Sequence, residues 1–319
     1  MTGGVRMKKN RRDVRFNDVR FTICCAVWVW MLLSLSVGQR VCAQDALPGC
    51  PPLHQAVTDA DTLQCYSQRT DTVVVPFIAL PRAFAQLGRN ELIDSIGILK
   101  PFWEKVRLRR LGTTTDSVRI VHVGDSHIRG RILPRTAGDF LRQAFGAVSY
   151  TDMGINGAFC TTFTRPDRIA DIAALHPDLV ILSFGTNESH NRRYNHMMHY
   201  RQMDDLVRLL RDRLPGVPIL MTTPPGSYES FRQRRRRTYK INPRTQIAVQ
   251  TIRRFADANG LAVWDMYEAF GGSPRACLNW QEAGLMRPDH VHYLPEGYRL
   301  QGEMLSQAII KAYNDYVEH

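Results

Sequence analysis

The chain has 319 residues, 44% of them apolar and 23% charged, which is enough to bury a core unaided and too balanced for a disordered or fibrous protein. The formal charge of +12 would suggest a nucleic-acid partner, but residues 1–43 hold eight Lys/Arg against two acids and leave +6 for the rest. Much of that remainder is one run, Arg232 to Arg237, without the interleaved aromatics of a nucleic-acid surface, so no nucleic-acid partner is expected.

The N-terminus reads as an export signal. A basic stretch ending at Arg20 precedes an apolar one, Phe21 to Val37, and then the small-residue site Val41-Cys42-Ala43, with cleavage expected before Gln44. The rival is an uncleaved signal anchor, because the apolar stretch is close to the minimum span of a membrane helix. Flanking Arg and Lys would then stay inside, leaving the body outside in either case. A periplasmic or cell-envelope location follows, with membrane contact only through this segment if it is retained. Of seven cysteines, Cys50, Cys65, Cys160 and Cys277 survive cleavage. They allow three pairings in an oxidising compartment. Cys50–Cys65 is the natural local bridge, and four free thiols are an equally open reading.

Residues 44–115 are expected to form a leader and helix packed on a main domain at 116–319. No period is sustained over 44–90. From Glu91 to Arg110 apolar residues recur at helical spacing, with Pro101 as a kink or break. Beyond that, apolar strand candidates at Val118–Val123, Val148–Gly154, Leu179–Phe184, Val217–Thr222 and Leu261–Trp264 alternate with helical patterns at 134–145, 166–175, 199–214, 243–258 and Gly297–Tyr313. Alternation of this kind predicts an α/β fold with a mostly parallel five-stranded sheet covered on both faces. Ligands of such sheets lie outside the carboxyl ends of the strands.

Chemistry-bearing residues stand at those ends. Gly124-Asp125-Ser126-His127 follows the first strand, placing a hydroxyl on a tight turn where a nearby base would activate it. Gly154-Ile155-Asn156-Gly157 follows the second and Gly185-Thr186-Asn187-Glu188 the third, offering a backbone N–H and a side-chain amide to a developing oxyanion. Asp289 and His292, three apart before the last helix, have the spacing for a carboxylate to orient an imidazole. Each segment alone is equally a turn, a cap or a metal-site fragment.

Together the four segments resemble the blocks of the SGNH/GDSL hydrolase superfamily, over roughly Arg119 to Tyr313. The resemblance implies a three-layer α/β/α sandwich with flavodoxin-like strand order. It also implies Ser126 as nucleophile, His292 as base, Asp289 as its orienter, and an oxyanion hole from Ser126, Gly157 and Asn187. Asp125, His127 and Glu188 take supporting places. Gly-Asp-Ser-His with Gly-Thr-Asn-Glu, and the later Thr223-Pro224-Pro225-Gly226-Ser227 and Trp264-Asp265-Met266-Tyr267, are similar to bacterial peptidoglycan O-acetylesterases. Those enzymes can carry a β-rich module between the first two blocks, where this chain has some 30 residues. The function implied is an exported serine esterase removing O-acetyl or other short acyl groups from an envelope carbohydrate. An O-acetyltransferase, a lipase or lysophospholipase, and a non-catalytic envelope-binding protein are the alternatives.

No cofactor or metal is expected. His190, His196 and His199 have metal-like spacing but lack a complete ligand set in the sequence. The arginine run, following a Pro-rich stretch, is expected on a loop above the carboxyl edge of the sheet, solvated or in contact with an anion.

Overall fold

The computed structural model describes residues 71–234 and 236–319, so the export segment and Cys50 and Cys65 lie outside it. Strands β2 (Val118–Gly124), β3 (Val148–Gly154), β4 (Leu179–Ser183), β5 (Ile219–Thr222) and β8 (Ala262–Trp264) form the parallel sheet, with a sixth, two-residue strand β1 (Leu92–Ile93) antiparallel on the β8 edge. The order is β1-β8-β5-β4-β2-β3. Apart from β1 this is the flavodoxin order, with its switch point between β2 and β4. The expected five strands are therefore six. A single turn of extended chain at Leu92–Ile93 carries no period from which a strand could be read.

Helices fill both faces. On one side lie α1 (Lys100–Arg110), α3 (Ile132–Phe145) and α10 (Pro295–Glu318), and on the other α4 (Pro166–Ala174), α6 (His196–Arg213) and α7 (Pro243–Ala258). Side chains alternate along a strand, and each core takes one parity. Ile120, Ile181 and Leu220 meet the first helical layer; Val121, Val180, Leu182 and Met221 meet the second. Each such side chain, fully buried, contributes about 1.5–3 kcal/mol. Short helices α2 (Ser126–Arg129), α5 (Thr186–His190), α8 (Met266–Ala269) and α9 (Gly272–Glu282) complete the element list, with a 3₁₀ turn at Cys160–Phe163.

Two expectations are corrected. The pattern from Glu91 does not make one helix: the chain is extended at β1, turns, and starts α1 at Lys100, with Pro101 in the first turn. Proline lacks the N–H that a first turn leaves unpaired, so it opens this helix rather than kinking it. Arg232, Arg236 and Arg237 of the arginine run do not lie in a loop but in the strands of an antiparallel hairpin, β6 (Tyr228–Gln233) and β7 (Arg236–Ile241). Like charges there hide the alternation that would mark strands.

Residues 71–99 strap the sheet to the last helix. Asn90 accepts the Trp264 indole N–H at 2.9 Å and donates to Met304 O at 2.8 Å. Asn314 exchanges two bonds with the Val73 backbone, each 2.8 Å. Among the described residues no helix is long and apolar enough to cross a membrane.

Candidate active site

The nucleophile turn is built from three local choices. Asp125 caps α2, its Oδ1 accepting the His127 N–H at 2.9 Å, so Ser126 stands at the first helical position beside the switch point. Gly154 ends β3 so close to that turn that a Cβ would run into the Arg129 backbone. A glycine is required there by space. Ser126 is consequently half-buried and opens on a cleft lined also by Arg129, Gly157, Asn187, Arg287, Asp289 and His292.

The structure joins the three residues named from the sequence. His292 Nε2 lies 2.9 Å from Ser126 Oγ, and its Nδ1 lies 3.0 Å from Asp289 Oδ2. Asp289 Oδ1 also accepts the N–H groups of Val291 and His292, both at 2.9 Å. Partial burial opposes charge on Asp289, but those two donors and the imidazole outweigh it and hold the carboxyl below its ordinary value. Ionised Asp289 keeps the proton of the resting imidazole on Nδ1, leaving Nε2 to accept from the serine. Between them His290 takes φ +56°, turning its ring away to pack on Tyr228 and Tyr239, with ring centroids 5.4 and 4.1 Å off.

Opposite the imidazole lie the hydrogen-bond donors. Gly157, at φ +71°, lines the cleft, and neither its N–H nor that of Ser126 finds a protein acceptor among the described residues. Asn187 donates from Nδ2 to Ala158 O at 2.9 Å and, over a longer 3.3 Å, to Asp125 Oδ2. The long bond is the one an oxyanion would displace. Glu188 sits beneath this group. Its two oxygens accept Cys160 N and Gly185 N, each at 2.9 Å, tying the turn after β3 to the turn after β4.

Burial sets the protonation of the supporting residues. His127 is 5% exposed and lies under the cleft, outside its lining; Tyr298 Oη is 3.0 Å from its Nδ1. Burial, with His292 5.3 Å away ring to ring, pushes its pKa down to about 3 and keeps it neutral beside the base. Asp125, 2% exposed, is pushed up to about 7 by burial, with Glu188 adding and the His127 N–H opposing. A polar line missing from the sequence reading crosses four strands below: Tyr150 Oη to His122 Nδ1 (2.8 Å), His122 Nε2 to Ser183 Oγ (2.6 Å), and Thr222 Oγ1 donating to Ser183 Oγ (2.7 Å). Burial pushes His122 down to about 3 as well. His122 could have been noticed as the one imidazole inside an apolar strand. Tyr298 and the cleft arginines carried no such signal.

The three metal-candidate histidines separate. His190 Nε2 is 3.0 Å from Ser227 Oγ, and His199 Nδ1 is 2.9 Å from Tyr194 Oη. His199 does approach Cys160 and Glu188, all buried, with ligand atoms within 4.8 Å. Sequence distance concealed that cluster. Both Glu188 oxygens are already engaged by backbone N–H groups, which makes it a hydrogen-bonded support. Cys160 and Cys277 are both free and buried.

A flavodoxin-ordered sandwich with serine after its first parallel strand and Asp-x-x-His before its last helix is an SGNH-type hydrolase. The GDSL-like lipase/acylhydrolase family model matches residues 122–300, and the chain belongs to that family of carboxylic ester hydrolases. Among solved structures it is similar to a peptidoglycan O-acetylesterase, at 20% identity and TM-score 0.62 over 70% of this chain and 99% of that one. It is also similar to a GDSL-like lipase from Bacteroides thetaiotaomicron, at 23% identity and TM-score 0.46 over 66% and 98% of the two chains. At these identities the likeness is one of fold. No curated protein matches the sequence.

Proposed function

We propose that the protein is an exported esterase that removes O-acetyl or other short acyl groups from an envelope carbohydrate such as peptidoglycan. The observation carrying this reading is the unbroken line Ser126 Oγ–His292 Nε2–Asp289 at 2.9 and 3.0 Å, facing the free N–H groups of Ser126 and Gly157 across an open cleft. Ser126 attacks the ester carbonyl as His292 takes its proton. The oxyanion gathers the two backbone donors and the Asn187 amide, each such donor worth about 10²–10³ in rate. His292 then protonates the departing sugar oxygen, and water, activated by the same imidazole, releases the acid.

The lining supports a short acyl group over a lipid chain. Among the described residues, the cleft around the nucleophile carries Arg, Asn, Gly and Tyr and no aliphatic side chain. A long acyl tail would need an apolar channel to repay its burial. Its openness suits an ester on a polymer. The likeness to a peptidoglycan O-acetylesterase favours that polymer, and the basic and apolar segments within residues 1–43 support export.

Acetate release from O-acetylated peptidoglycan and from acetylated xylan, wild type beside Ser126→Ala, tests the reading. Release from one polymer, abolished by the substitution, is the expected result. Hydrolysis of a small aryl acetate through Ser126 with neither polymer touched would overturn the envelope assignment.

A further inference from the structure

The hairpin β6–β7 carries charge that folding does not reward. Arg232 stands directly opposite Arg237 in the antiparallel register. Like charges so placed destabilise a strand pair. Arg234, Arg236 and Lys240 are exposed beside them. The single acid of the hairpin, Glu229, is committed to Arg244 at 2.5 Å. Among the described residues no carboxylate pairs with Arg232, Arg234, Arg236 or Arg237.

The direction of these charges follows from the register. Side chains alternate across a strand, so Tyr228 and Arg232 share one face with Tyr239 and Arg237. Tyr228 and Tyr239 are the rings that hold His290, and Tyr228 N donates to His290 O at 2.9 Å. The face meeting the triad turn therefore continues into the paired arginines, one two-residue step or roughly 7 Å further along the strands. The same turn starts at Arg287, whose carbonyl accepts the His290 N–H at 2.9 Å, and Arg287 lines the cleft with Arg129. Arginines thus stand at both ends of this face, Arg129 and Arg287 in the cleft, where Arg287 Nε also donates to Tyr293 O at 3.0 Å, and Arg232 and Arg237 on the hairpin.

We propose that this hairpin is a docking arm for an acidic polysaccharide. Arg232 and Arg237 take a carboxylate of the chain that presents its ester to Ser126, with Arg287 and Arg129 facing the anionic units nearer the cleft. Guanidinium pairs match a carboxylate fork-to-fork, which a single ammonium cannot do. A membrane surface fits less well. Interfacial segments bury an apolar face, and the exposed large apolar side chains of the described residues all lie off the hairpin. The identity of the ester rests on the function proposed above; the docking does not.

The full chain carrying Ser126→Ala serves for binding, measured against polygalacturonate, neutral xylan and phosphatidylglycerol vesicles. Retention by polygalacturonate that weakens with salt is expected, and R232Q/R237Q should lower that affinity about 10-fold or more, the scale of losing charged hydrogen bonds. R237E sets a carboxylate opposite Arg232. It should hold or raise the melting temperature while abolishing polymer binding, whereas a purely structural role would move both together. In the active enzyme R232Q/R237Q should raise KM for O-acetylated peptidoglycan, leaving kcat and aryl acetate hydrolysis unchanged. Equal binding by wild type and variants, equal binding to xylan, or retention by the vesicles in place of the polymer would each overturn the proposal. Failure of the wild-type chain to hydrolyse any ester, with polymer binding intact, would instead sink the esterase reading and leave the docking arm standing.

Discussion

Replacing Glu188 tests whether a residue that never meets substrate fixes the geometry of the site. The side chain is 4% exposed and accepts two backbone N–H groups at 2.9 Å, Cys160 N after β3 and Gly185 N after β4. Glu188→Ala strands both donors. An unsatisfied buried donor costs about 1–3 kcal/mol, so the variant should lose about 4 kcal/mol. For a body of this size that is a fall in melting temperature of about 8–16 °C. Glu188→Gln keeps one acceptor and turns its amide on the other donor, so it should lose about half as much. Because the two turns carry Ala158 and Asn187, kcat should also drop in the same order, Ala below Gln, with KM little changed. Urea unfolding and initial rates on an aryl acetate measure both. If either variant costs under about 1 kcal/mol, or if kcat survives while stability falls, Glu188 does not hold the donors in place.

Further outcomes follow from the same geometry. Asp289→Asn should cut kcat about 10³–10⁴-fold, since the amide can present its N–H to His292 and turn the imidazole to the wrong tautomer; steady-state kinetics checks this. Gly154→Ala should cost about 1–3 kcal/mol through its clash with the Arg129 backbone, and lower kcat by shifting Ser126, read by unfolding and turnover together. Buried His122, with its pKa lowered to about 3, takes up a proton only on unfolding, so its share of stability is present above pH 6.5 and is lost as pH falls towards 3. His122→Gln should therefore flatten the slope of stability against pH between 6 and 4 by about 1.4 kcal/mol per unit. Asp125 works oppositely, its raised pKa giving stability at low pH that is lost as pH rises through about 7, so Asp125→Asn should gain on wild type between pH 5 and pH 8 in urea titrations.

The parallel core was legible because each strand is a short apolar run stopped by Gly, Thr or Asp, and β2 to β4 lie within a residue of where those runs predict. Ser126, Asp289 and His292 were legible through fixed local spacing at strand and helix ends. What escaped depends on tertiary partners. Leu92–Ile93 pairs as a strand because β8 offers an edge, and no two-residue segment announces that. The hairpin escaped because its arginines break the alternation that its tyrosines keep. Cys160, Glu188 and His199 meet only after the sheet has formed, and the line from Tyr150 to Thr222 exists only once β3, β2, β4 and β5 stand side by side.

The strap formed by residues 71–99 separates what the chemistry needs from what the fold needs. Every residue assigned to the cleft falls inside the span 122–300 recognised as the family, yet Trp264 relies on Asn90 for its indole N–H, and the last helix runs to Glu318 with Asn314 gripping Val73. A fragment cut to the family boundaries would lose α1, the first half of the central strand β2 and most of α10, and would also bare the β8 edge, whose unpaired backbone groups are a template for stacking onto another copy. What the fold must keep thus reaches beyond its motifs on both sides. Any trimmed form should keep Asp71, whose carboxylate holds Arg110 at 2.9 Å and so closes the start of the strap onto α1.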